Sequence, residues 1–215
     1  MNYSNKKLIF FDCDSTLSSI EGIDELAREK GPEIFKQVVD LTNAAMNGEI
    51  PLDEVFSRRL EIIKPNIETC KKVEQLYIDT VEPTAKETLK KLRDLGFTII
   101  ILSGGFKRLI EPLASYLEIE RIEAVPLNLN EDGNYINFDA NYPTTYNGGK
   151  PEIIKKLKAE FNPERIIMVG DGVSDLETKN IVDMFIGYGK YTDRQKVRDE
   201  ADHFIYSLAD LLELV

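Results

Sequence analysis

Lys7–Thr16 reads KLIFFDCDST, and the architecture of the whole chain follows from it. Leu8-Ile9-Phe10-Phe11 is apolar at every position rather than at alternate ones. That pattern marks a strand buried on both faces, as in a parallel sheet covered by helices. The run stops at two carboxylates spaced i, i+2, Asp12 and Asp14, followed by Ser15 and Thr16. If the extended backbone persists through Asp14, both carboxylates fall on one side. In an open α/β sheet, ligands sit in the crevice beyond the carboxyl ends of the strands. Two like charges there are costly unless a cation or a shared proton compensates. A D-x-D after a strand is also an ordinary polar turn, because Asp favours turns and caps. The rest of the chain separates these two readings.

Two more apolar runs end in the same manner. Phe97–Leu102, FTIIIL, is broken by Ser103-Gly104-Gly105, and Arg165–Val169, RIIMV, by Gly170-Asp171-Gly172 ahead of Val173-Ser174-Asp175. Lys150 follows a Gly-Gly pair at the head of an amphipathic helix, Pro151–Phe161. Shorter strands are expected at Ile122–Val125, Met184–Gly187 and His203–Ile205, and a hairpin over Asn128–Phe138 around Asp132-Gly133. In PTAKETLKKLRDLG, Leu89, Leu92 and Leu95 are expected to face inward, with Gly96 as the stop. This alternation predicts an α/β fold: a doubly wound, mainly parallel, Rossmann-like sheet. Residues 18–80 interrupt it with short helical patterns, including Ile23, Leu26 and Ala27 on one face, then Pro32–Ala45, a Met46-Asn47-Gly48 turn, Asp53–Ile63 and Ile67–Tyr77. We read 18–80 as an inserted small helical cap, and 1–17 with 81–215 as the α/β core.

Composition narrows the function classes. The 215 residues suffice for one core plus a small insert. With 27 Lys+Arg against 38 Asp+Glu, the formal charge is −11, which argues against a general nucleic-acid or anionic-membrane surface. It leaves room for a small anionic substrate, which needs only local positive charge. The two cysteines, Cys13 and Cys70, lie far apart without a CxxC pattern, as in a reduced, intracellular chain. Cys13, between the aspartates, could pass for a nucleophile; it fits better as a small core hydrophobe. MNYSNKKLIFF has too few apolar residues for a signal segment, and no run approaches the ~18 needed to span a bilayer. A cytoplasmic chain acting on a small molecule is the expectation, with its oligomeric state open.

Parallel strands would bring the three polar strand ends to one rim. Hard carboxylate and carbonyl oxygens there suit Mg²⁺, with Asp12 and Asp171 as natural ligands joined by the Asp14 carbonyl. Ser103 and the N–H groups of Gly104 and Gly105 could cradle an anion at a helix N-terminus. Lys150 would neutralise charge on a phosphoryl group and on an attacking carboxylate. Asp175 would orient the metal's water or Lys150 from one shell out. Each piece alone is ordinary: a tight turn, a solvated lysine, a capping Asp. Their joint occurrence at strand ends and helix starts is not.

DCDST, SGG after an apolar strand, GGK and GDGVSDLE resemble the four motifs of the haloacid dehalogenase superfamily of phosphohydrolases. EGIDELA, AMNGEIP, the R-L-x-x-I-K-P segment and ILSGGF extend the likeness over almost the whole chain, to the branch that acts on O-phospho-L-serine. The resemblance implies that Asp12 is a nucleophile forming an aspartyl-phosphate, and that Asp14 protonates the leaving oxygen and then activates water. It places Glu21 on the substrate ammonium and Arg59 on its carboxylate, where a fork-shaped guanidinium suits the group bound. Met46 would give apolar contact, and Ser174 keeps a hydroxyl where the family has Asn or Thr. The chain departs from the pattern at Leu52, often Phe, and at Ala124-Val125, often Ala-Asn; both would alter the pocket wall. Two alternatives follow: another small phosphomonoester or an acceptor alcohol, and a receiver-like domain that holds phosphate on Asp12 without turnover.

Overall fold

The computed structural model describes residues 7–46, 50 and 52–215. Its strands are β1 (Lys7–Phe11), β2 (Phe97–Phe106), β3 (Arg121–Val125), β4 (Leu127–Leu129), β5 (Tyr135–Phe138), β6 (Arg165–Gly170), β7 (Met184–Tyr188) and β8 (His203–Ile205). Six of them form one sheet in the order β3-β2-β1-β6-β7-β8, with every pairing parallel. β4 and β5 make the separate hairpin that Asp132-Gly133 predicts. Along β1, Ile9 and Phe11 join one core cluster and Leu8 and Phe10 the other, so both faces of the sheet are covered. Burial on both faces is why the central strands read as unbroken apolar runs.

Register sets the level of the rim. Phe11 lies opposite Ile101 on one side and Val169 on the other. Asp12, Ser103 and Asp171 therefore lie at one level of the sheet, within a residue or two of one another. The strands do not all end as the sequence suggests. β2 continues through Ser103-Gly104-Gly105 to Phe106, with an irregularity in its pairing between Leu102 and Phe106. After Asp12 the chain does not stay extended: Cys13–Leu17 is a wide helical turn closed by the Ser18 N–H on the Cys13 carbonyl, with Ser15 at φ 53°. The two-residue alternation thus lapses at Cys13, and Asp14 turns to Tyr77 and Gly22 of the insert. Cys13 itself is fully buried in the core.

Among the described residues between Leu17 and Glu82 run four helices, α1 (Gly22–Arg28), α2 (Pro32–Met46), α3 (Leu52–Ile63) and α4 (Ile67–Asp79). The ends of this insert are fastened side by side, Ser18 bridging Val81 and the Glu82 N–H donating to the Leu17 carbonyl at 2.8 Å. Its apolar faces (Leu26, Val38, Leu60, Val73) belong to the same cluster as Ile9 and Phe11. Each such fully buried side chain contributes roughly 1.5–3 kcal/mol. Asn66 caps α4 by accepting the Thr69 N–H at 2.9 Å, while the Thr69 hydroxyl accepts the Asn66 N–H at 3.0 Å.

The remaining helices are α5 (Ala85–Asp94), α6 (Lys107–Tyr116), α7 (Gly149–Phe161), α8 (Val173–Leu176) and α9 (Gln195–Glu200). In α5, Leu89 and Leu92 are buried as expected, but Leu95 is 49% exposed. A second step of three residues carries the side chain about another 60° off the buried stripe, and the helix has ended by then.

Candidate active site

The rim of the sheet holds a dense charge cluster. Ligand oxygens of Asp12, Asp171 and Asp175, all buried, lie within 4.8 Å of one another. Lys150 joins them, its Nζ 3.0 Å from Asp12 Oδ1 and 2.5 Å from Asp175 Oδ1. Glycines make this approach possible. A Cβ on Gly149 would lie 1.5 Å from the Pro143 carbonyl oxygen, so only glycine lets the Pro143–Thr145 turn pack against the start of α7 that carries Lys150. A Cβ on Gly170 would lie 2.3 Å from the Asp175 carboxyl carbon. Asp175 folds back into that space and accepts the Gly172 N–H on its other oxygen at 2.9 Å. Asp12 Oδ1 also accepts the Cys13 N–H at 2.8 Å.

Three carboxylates against one ammonium leave a buried negative excess. Desolvation, then the Asp12 and Asp175 charges, hold Asp171 well above the usual carboxylate range. Desolvation and Asp12 push Asp175 up to about 7, with Lys150 pulling the other way. For Lys150, desolvation disfavours the charged form, but Asp12 and Asp175 outweigh it and its pKa is raised. Hard oxygen donors and uncompensated negative charge are what a divalent cation needs, so the residues present fit a metal. Arg194, in the loop after β7, adds a cation that sequence reasoning missed: its Nε is 3.4 Å from Asp171 Oδ2. That loop is tied down by Lys190 on the buried carboxylate of Glu82 at 3.1 Å. A single arginine in a polar loop carries no local signal.

The turn after β1 and the insert form the opposite side. Asp14 is half-buried. Its Oδ1 accepts the Tyr77 hydroxyl from α4, and its Oδ2 the Gly22 N–H of α1 at 3.4 Å. Desolvation, then the Glu21 and Asp12 charges, raise its pKa well above normal, while the Tyr77 and Gly22 hydrogen bonds work against that rise. Glu21 accepts the Ser15 hydroxyl at 2.7 Å. Glu21 is exposed by area, yet its carboxyl sits in a cleft crowded enough that desolvation still raises its pKa. Arg59, half-buried on α3, reaches Thr42 Oγ1 at 3.4 Å, and its Nε is buried with no partner among the described residues. The charges of Asp24, then Glu21 and Asp14, act on its guanidinium, so it lies near these carboxylates. Phe56, one turn earlier, packs on Phe106 and Phe138 with ring centroids 5.5 and 4.9 Å away, which anchors this part of α3 to the end of β2 and the hairpin.

Other expected site residues fall as follows. Ser103 is buried, and its Oγ accepts the Gly105 N–H at 2.9 Å. Gly104 and Gly105 therefore belong to the end of β2 rather than to a helix start, and the Gly105 N–H is already used. Ser174 lies half-buried in α8. Val125 is fully buried in the core, opposite Phe106. The side chains of Met46 and Leu52, and the turn residues Asn47 and Gly48, lie outside the described residues. Cys13 is no nucleophile: burial, then the Asp14 and Asp12 charges, drive its thiol pKa well up.

A parallel sheet whose central strand delivers an Asp-x-Asp turn to a lysine and a second acidic pair defines an α/β enzyme of the phosphoryl-transfer class. The chain belongs to the haloacid dehalogenase-like hydrolases, whose family model matches residues 6–178. It is 36% identical over 206 residues to the phosphoserine phosphatase of Bos taurus, covering 95% of this chain and 91% of the relative. It is equally similar, at 36% over 212 residues, to the chloroplastic phosphoserine phosphatase of Arabidopsis thaliana, covering 95% of this chain and 70% of that one. Among solved structures, a phosphoserine phosphohydrolase-like protein of Francisella tularensis superposes with a TM-score of 0.85 at 29% identity, over 97% of this chain and 99% of the other. A phospho-aspartyl intermediate analogue of phosphoserine phosphatase gives 0.84 at 27%, over 99% of this chain and 100% of that one. Among the described residues no helix is long and apolar enough to cross a membrane.

Proposed function

We propose that this hydrolase converts O-phospho-L-serine and water to L-serine and phosphate through an aspartyl-phosphate on Asp12. The observation that carries the proposal is the nearness of two unlike groups of charged residues. One is the Asp12–Lys150–Asp175 cluster beside Asp171; the other is Glu21 with Arg59, whose charges match an ammonium and a carboxylate.

In the first half-reaction an Asp12 oxygen attacks phosphorus, the bond from phosphorus to the serine oxygen breaks, and Asp14 gives that oxygen its proton. In the second, water attacks the same phosphorus, Asp14 takes a proton from it, and the Asp12–phosphorus bond breaks to release phosphate. Asp14 must thus begin neutral and Asp12 ionised; burial and the Glu21 charge favour the neutral acid. Lys150 holds Asp12 in place and offsets charge gathering on the phosphoryl oxygens. Ser103, its oxygen occupied by the Gly105 N–H, has its own proton to donate to the phosphoryl group. Asp12, the Asp14 carbonyl and Asp171 would hold Mg²⁺, which supplies Lewis-acid polarisation of the phosphoryl oxygens. Asp175 acts from behind, through Lys150. Residues 18–80 serve as a cap that admits substrate and limits water. Two free, buried cysteines favour the cytoplasm as its compartment.

The test is phosphate release from a panel of phosphomonoesters with and without Mg²⁺. Repeated turnover, loss with EDTA and a preference for L-phosphoserine are expected. A flat panel would overturn the substrate assignment, EDTA-resistant activity the metal, and a single stoichiometric phosphorylation the hydrolytic cycle.

A further inference from the structure

We propose that Tyr77 is a positioning residue for Asp14: its hydroxyl holds Oδ1 and leaves Oδ2 as the oxygen that hands a proton to the leaving group. The proposal rests on the assignment of Asp14 as the acid/base group.

Three observations carry it. Tyr77 is fully buried in the last turn of α4, and its hydroxyl donates to Asp14 Oδ1. A buried phenol needs such a partner, and the Asp14 carboxyl supplies it. Second, a Cβ on Gly22 would lie 2.1 Å from the Tyr77 oxygen and 2.9 Å from its Cζ. Gly22 is the first residue of α1 and has no left-handed backbone to explain its glycine. The absent side chain leaves the space that the hydroxyl fills, while the Gly22 N–H approaches Oδ2. Third, Asp14 Oδ2 lies 3.4 Å from where a Gly105 Cβ would be, so it faces the strand end that carries Ser103. Oδ1 is taken by the Tyr77 hydroxyl, whereas Oδ2, with only the long 3.4 Å contact to the Gly22 N–H, also borders the strand end where the phosphoryl group is expected.

A carboxyl without such a contact rotates over a broad, nearly two-fold torsional profile. Proton donation that depends on alignment then loses part of the roughly 10²–10⁴-fold that a placed acid supplies. The effect scales with how badly the leaving group needs a proton, and a packing defect has no reason to do so.

The experiment uses the full chain with Mg²⁺ and measures kcat/KM over a series of substituted phenyl phosphates, none of which carries amino-acid groups. Tyr77→Phe is expected to lower kcat/KM about tenfold for the poorest leaving group and less than twofold for p-nitrophenyl phosphate. Gly22→Ala, which displaces the hydroxyl from the other side, is expected to steepen the series in the same way, and it carries the test if Tyr77→Phe fails to fold. A uniform loss, or none, across the series overturns the proposal. Asp14→Asn separates the two levels. If it leaves the leaving-group dependence unchanged, the assignment of Asp14 falls; if it steepens the dependence while Tyr77→Phe and Gly22→Ala do not, only the role of Tyr77 falls.

Discussion

On the sheet side of the cleft, Lys150 is buried between two carboxylates, and Asp175 has both oxygens engaged. On the insert side, Glu21 is exposed and holds one serine hydroxyl, while Arg59 lies over the Phe56 ring, approaches a threonine hydroxyl at 3.4 Å and keeps a buried Nε unpartnered among the described residues. The first set sits at the rim of the sheet, with Asp12 directly after β1 and Lys150 and Asp175 in the first turns of α7 and α8; the second belongs to the insert and reaches out through long side chains. A group that handles every substrate in the same way gains from rigidity, because electrostatic stabilisation works best when it costs no reorganisation. Groups that select a substrate gain from being left under-bonded, since a matching ligand then satisfies what the protein does not. The sheet side should therefore fail for all substrates alike, and the insert side only for the one that bears the matching charges.

The most severe failure belongs to Asp12. Asp12→Asn should lower turnover at least about 10⁴-fold on both L-phosphoserine and p-nitrophenyl phosphate, because a nucleophile has no substitute. Its thermal melt should show a folded protein. Comparable residual activity on either substrate would move the nucleophile elsewhere. Lys150→Met comes next, with about a 10²–10³-fold loss in kcat on both substrates. It should also cost about 3–5 kcal/mol in urea unfolding without added metal, since Asp12 and Asp175 would be left buried and uncompensated. A selective loss on phosphoserine would place Lys150 with the recognition groups instead.

Arg59→Ala should reduce kcat/KM for L-phosphoserine by about 10²-fold, the value of one or two charge-assisted hydrogen bonds at 1.5–3 kcal/mol each. On p-nitrophenyl phosphate, which has no carboxylate to bind, the change should stay within about threefold. Equal losses on the two substrates would erase the distinction between the two sides of the cleft.

These two sides were not equally legible in the sequence. The strands under the rim announce themselves, because burial on both faces leaves Leu8–Phe11, Ile99–Leu102 and Ile166–Val169 without polar positions. Where such runs stop, Asp12, Ser103 and Asp171 are placed by chain connectivity alone, and local sequence suffices. What surrounds them is different. Tyr77 reads as one more apolar position on an amphipathic helix, and nothing within α4 says that its hydroxyl meets a carboxylate 63 positions away. Arg194 is an arginine in a loop until the parallel order of β6 and β7 brings that loop over Asp171. The passage of β2 through Ser103-Gly104-Gly105 depends on β3 continuing alongside as far as Val125, a tertiary choice that overrides the turn-forming habit of Ser-Gly-Gly.

The mildest effect should appear in stability rather than rate, and it concerns only the sheet side. Asp171 and Asp175 have pKa values raised by burial and by the Asp12 charge, Asp175 to about 7. In the metal-free chain the folded state therefore binds protons more tightly than the unfolded state. The stability these two groups contribute is present at low pH and is lost as pH rises from the ordinary carboxylate range through about 7. A divalent cation reverses the balance, since it binds deprotonated Asp171, its charge favours ionised Asp175 behind, and it so competes with those protons. Mg²⁺ at about 100 times its Kd should raise Tm by about 5–10 °C at pH 8. At pH 5 protons hold the site and the same Mg²⁺ should add less than about 2 °C. Differential scanning fluorimetry with EDTA and with Mg²⁺ at both pH values makes the comparison. An equal shift at pH 5 and pH 8 would mean that the bound cation leaves these carboxylates untouched.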